Sequence, residues 1–61
     1  MPLLLTFELY LHRVHPPPTF EALTCFDELE LLAAMRARLA DPEIVSIEAH
    51  RMGDHVATIT R

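Results

Sequence analysis

The chain predicts an α+β domain of order ββαββ, a four-stranded antiparallel sheet with one helix packed on one face. Three observations carry that reading. Residues 3–14 and 43–60 alternate apolar and polar side chains with period two. Residues 28–40 repeat their apolar side chains at helical spacing instead. The junction Phe26-Asp27-Glu28-Leu29-Glu30-Leu31 carries helix-start chemistry, with Asp27 as N-cap and Glu30 placed to complete a capping box. Phe26 and Leu31 have the spacing of a hydrophobic staple.

The first strand covers residues 3–14. Leu3, Leu5, Phe7, Leu9 and Leu11 form an unbroken apolar row, and Leu4, Thr6, Glu8, Tyr10, His12 and Val14 form a mixed one. His15-Pro16-Pro17-Pro18 ends it, because proline lacks the donor N–H and holds the preceding backbone extended. Residues 19–25 read as a second strand: Thr24-Cys25-Phe26 favours β structure, and the cap at Asp27 has no use inside a longer helix. The apolar spacing Phe20, Leu23, Phe26 leaves one alternative, a βαββ chain with a helix over 19–40.

The helix is expected from about Glu28 to Ala40, where Leu29, Leu31, Leu32, Met35 and Leu39 span roughly 160° of its circumference. Asp41-Pro42 stops it. In the third strand Val45, Ile47 and Ala49 oppose Ile44, Ser46, Glu48 and His50. A three-residue turn, Met52-Gly53-Asp54, then leads to a last strand from His55 to Thr60. That loop length sets Ile47 opposite Ile59 and Ala49 opposite Ala57 inside, with Glu48 opposite Thr58 and His50 opposite Val56 outside. The layout resembles that of many short bacterial open reading frames with strands flanking a helix, and no functional residue carries over from it.

Sixty-one residues are expected to form a single domain, 1–61, with one core and marginal stability. The single cysteine rules out an internal disulfide, so a partner chain is the natural support. A hydrophobic fraction of 51% agrees with apolar surface lying against another molecule. Residues 1–5 lack the basic segment and cleavage site of a signal peptide, and no apolar run reaches membrane-spanning length, which suggests a cytoplasmic protein. The net charge of −4 sits entirely in residues 21–43, where acids near the helix start and arginines near its end suit the helix dipole. Lysine is absent and there is no basic patch, which disfavours nucleic acid as a partner.

Candidate chemistry gathers on the sheet face away from the helix. If the first strand neighbours the third or the fourth, His12, His50 and a glutamate such as Glu48 can approach one another as ligands for zinc or a similar cation. The expected reading is half-exposed histidines on a solvated face with no metal bound. His50, Met52 and His55 cluster at the last turn, with the histidines able to sense pH. Cys25 lies beside a core aromatic and reads as buried, since one glycine leaves little material for an oxyanion hole. The three prolines read as a rigid connection rather than a polyproline ligand.

The expected function is a non-enzymatic protein-interaction module that homodimerises through the uncovered sheet face or an edge strand. Leu4, Tyr10, His12, Val14, Phe20 and Val56 are the expected interface. One alternative is an acidic inhibitor or decoy of a larger host complex, of phage or mobile-element type, for which the acidity of residues 21–43 speaks. Another is a weak metal or ligand binder using the His/Glu face. No resident cofactor is expected.

Overall fold

A computed structural model describes residues 3–61. The elements run β1 (Leu5–Arg13), β2 (Thr19–Cys25), α1 (Glu28–Arg38), β3 (Ile44–Arg51) and β4 (Asp54–Thr60). The ββαββ order therefore holds. Residues 19–25 are a strand paired with β1 from Leu5↔Cys25 to Leu11↔Thr19, which excludes the βαββ alternative.

All strand pairs are antiparallel, in the order β2-β1-β3-β4. The two most apolar strand rows take the centre, where neighbours on both sides exclude water. Phe7, Leu9 and Leu11 of β1 and Ile44, Ile47 and Ala49 of β3 are all buried. Helix α1 closes the core over them with Leu31 and Met35, and Leu32 and Leu39 pack at the margin. A helix about 10 Å wide covers roughly two strands of a four-stranded sheet. Accordingly Val56 and Ile59 on β4 remain only partly buried.

The helix starts where its chemistry says. Asp27 is extended, and its Oδ1 accepts a 2.8 Å hydrogen bond from the Glu30 backbone N–H. Among the described residues the reciprocal bond from the Glu30 side chain is not made. Phe26 does not join the core either, being more than half exposed. The apolar stripe is narrower than expected: Leu29 lies off it and is 79% exposed. Leu31, Met35, Leu39 and Leu32 span about 100° of the helix circumference, and Leu29 falls about 60° beyond that arc.

Two β-bulges overturn the simple alternation of β3 and β4. The β1–β3 register steps from His12↔Ser46 to Arg13↔Ile44, leaving Val45 without a partner. The extra residue rotates the chain so that Ile44, not Val45, enters the core; Val45 is exposed. The reason is economy of burial, since Ile44 is the larger side chain and lies beside the helix exit.

The β3–β4 hairpin turns on two residues, not three. Arg51 pairs with Asp54, and Met52 and Gly53 both have positive φ (53° and 85°), as a type I′ turn requires. The apolar pairs Ile47↔Ile59 and Ala49↔Ala57, and Glu48↔Thr58 outside, nevertheless form as expected. A bulge at Val56 reconciles the two, so that His50 faces His55 and Val56 packs against the core. Val56 thus leaves the expected interface set.

Two arginines bind the layers together. The Arg38 guanidinium makes a two-pronged pair with Glu21 of β2, its Nε 2.8 Å from Oε1, and also donates to the Ala34 carbonyl. Arg61 donates to the carbonyls of Leu39, Asp41 and Ile44, tying the residue after β4 to the α1–β3 connection and the start of β3.

Candidate functional site: the open sheet face

Pleating sends alternate residues of every strand away from α1. The Cα extents of 41 × 22 × 14 Å describe a slab two layers thick, one of whose broad sides is bare sheet. Register places Thr6, Glu8, Tyr10 and His12 of β1 on that side. Beside them stand Phe20, Ala22 and Thr24 of β2, Ser46, Glu48 and His50 of β3, and His55, Thr58 and Thr60 of β4.

Because β1 and β3 are neighbours, His12, Glu48 and His50 do come together. His12 Nε2 lies 2.5 Å from Glu48 Oε2, and His50 Nε2 lies 3.3 Å from Oε1 of the same carboxylate. Hydrogen bonding by His12, then by His50, holds the Glu48 carboxyl below its ordinary range, with its slight desolvation acting the other way. Each carboxylate oxygen is thereby occupied by one imidazole. Among the described residues no group of three or more His, Cys, Asp or Glu is arranged to hold a metal ion.

A row of rings crosses the same face, one from each strand. Phe20 of β2 meets Tyr10 of β1 at 5.5 Å between centroids, Tyr10 meets His50 of β3 at 5.2 Å, and His50 meets His55 of β4 at 5.4 Å. All three contacts are edge-to-face, the arrangement favoured by ring quadrupoles. His55 is held further by a 2.6 Å hydrogen bond between Nε2 and Thr58 Oγ1. Glu8, Tyr10, His12, Glu48, His50 and Gly53 line a shallow depression of about 360 Å³ beside this row.

Of the expected interface residues, Phe20 is 58% exposed, Leu4 59%, Val14 52% and Tyr10 37%. His12 is half-buried on the same face. The ring row itself was missed in the sequence. Tyr10–Phe20 and His50–His55 are register partners and Tyr10–His50 is diagonal; the row follows from the strand order and the β4 bulge, and neither is visible in a linear pattern.

Cys25 is buried, and its Sγ donates to the Asp27 carbonyl at 3.5 Å. Burial first, then the nearby charges of Glu30 and Asp27, push its thiol up, away from the nucleophilic thiolate. Among the described residues no helix is long and apolar enough to cross a membrane. No known protein family, curated protein or solved structure matches the chain.

Proposed function

We propose that the protein is a small interaction module that pairs with a second copy of itself through the open sheet face. The observation carrying this reading is the four-strand ring row, whose Phe20 is 58% exposed. Four strands about 4.8 Å apart and about seven residues long give a face of roughly 19 by 23 Å. Pairing two such faces buries on the order of 1,000 Å² in total, the lower end of what specific interfaces use. The β4 edge is a poorer candidate, because a bulge distorts it and irregular edges resist strand addition.

Sedimentation equilibrium provides the test. A mass near twice the 7.0 kDa of one chain is expected at tens of micromolar. Phe20→Asp is expected to return the monomer with an unchanged circular dichroism spectrum, and Leu29→Asp on the helix side to leave the dimer intact. A monomer at every concentration, or a dimer sensitive to Leu29→Asp and not to Phe20→Asp, removes the reading.

A further inference from the structure

The open face has an unusual charge inventory. Among the described residues its ionisable groups are Glu8, Tyr10 and His12 on β1, Glu48 and His50 on β3, and His55 on β4. Strand β2 contributes Phe20, Ala22 and Thr24, none of them charged. Every arginine lies elsewhere. Arg13 pairs with buried Ile44 and so belongs to the helix side, where its Nε donates to Thr19 Oγ1. Arg36 and Arg38 are on α1, Arg51 stands opposite Asp54 one step past the His50↔His55 pair, and Arg61 is bound at the helix exit. His15 sits in the proline loop beyond β1.

With neutral imidazoles, Glu8 and Glu48 therefore give the face a charge of −2, with no cation to offset it. Two such faces brought together assemble four carboxylates. Protonating His12 and His50 adds +2 and brings each face to zero, and His55 adds one more charge at its edge. An unperturbed imidazole changes charge near pH ~6.5.

We propose that self-association through this face is proton-gated, with His12 and His50 as the switch and Glu8 and Glu48 as the charges they neutralise. The proposal rests on the face-to-face reading above. In the neutral form the two histidines share the Glu48 carboxylate by hydrogen bonds, His12 Nε2 to Oε2 and His50 Nε2 to Oε1. In the protonated form both become pure donors, and the Glu48 pair becomes ionic on both sides. Glu8 stands directly across the β1–β3 pair from His50, close enough to feel its charge. Protons are thus taken up as two faces meet, and the dimer tightens as the pH falls through the imidazole range.

The dissociation constant measured by sedimentation from pH 8 to pH 4 tests this. The wild-type dimer is expected to be roughly tenfold tighter or more at pH 6 than at pH 8, since desolvated like charges oppose association. His12→Gln/His50→Gln is expected to flatten the profile, while His15→Gln leaves it unchanged. Glu8→Gln, which removes a charge without touching the histidines, is expected to tighten the dimer at pH 8. A wild-type dimer with the same affinity at pH 6 and pH 8 overturns the gate and leaves the face-to-face reading standing. A monomer at every pH overturns both. A folded double histidine variant that keeps the wild-type profile overturns the assignment to His12 and His50.

Discussion

Glu21 and Arg38 show how one pair of side chains positions a helix. Their fork-to-fork pairing joins an edge strand to the last turn of α1, and Arg38 also returns to the Ala34 carbonyl. The hydrogen bond from Arg38, opposed by desolvation and aided by its charge, lowers the Glu21 pKa from an ordinary value of 4.5. A lowered folded-state value means that the contribution is present above about pH 4.5 and is lost as the pH falls through the folded value. Glu21→Gln is expected to cost up to about 1 kcal/mol at pH 7, a modest figure because both side chains are partly exposed to screening solvent. Urea unfolding of wild type and variant should converge in acid. A constant difference across the acid range would falsify the assignment.

Among the elements, the β3–β4 hairpin is where tertiary packing overrode the linear pattern. The inner pairs Ile47↔Ile59 and Ala49↔Ala57 were legible because only that register buries both apolar sets. The loop length was not, because a two-residue turn plus one bulged residue gives the same inner register as a three-residue turn. Val45 and Ile44 make the same point at the other end of β3: both are β-branched and apolar, and period two cannot foresee one extra residue. Leu29 failed for a different reason, since its helical phase lies at the rim of the stripe, where the limited width of the sheet decides burial. The Asp27 cap, the strand at 19–25 and the meeting of His12, Glu48 and His50 were legible, because each rests on local chemistry or on strand adjacency. The turn yields a prediction with opposite signs at adjacent positions. Met52 has φ of 53°, strained for a non-glycine residue, so Met52→Asn is expected to stabilise by about 0.5 kcal/mol. Gly53→Ala meets no atom within 4 Å, so its expected cost of about 1 kcal/mol is backbone strain alone. Chemical denaturation of the two variants checks both signs.

Among the described residues the molecule has one helix for four strands, and nine buried residues form a core on one side of the sheet. A 7.0 kDa chain of this shape is short of buried area, and the dimer proposed above would add some on the open side. If the folded dimer is the stable species, melting becomes dependent on concentration, because each tenfold rise adds about 1.4 kcal/mol to the dimer. The midpoint is expected to climb by several degrees between 10 µM and 1 mM, and more steeply at pH 6 than at pH 8. A midpoint that ignores concentration at both pH values would show that each copy folds alone and stays alone.

The ring row also gives the protein an optical reporter. Tyr10 is the sole tyrosine and the chain has no tryptophan, so its near-ultraviolet emission comes from one known place. That place is the middle of the open face, edge-to-face with Phe20 on one side and with His50 on the other. Covering the face or charging its neighbour therefore changes the surroundings of a single fluorophore. Occupancy of the surface can be followed in unlabelled wild-type protein, without an added dye or a substituted residue.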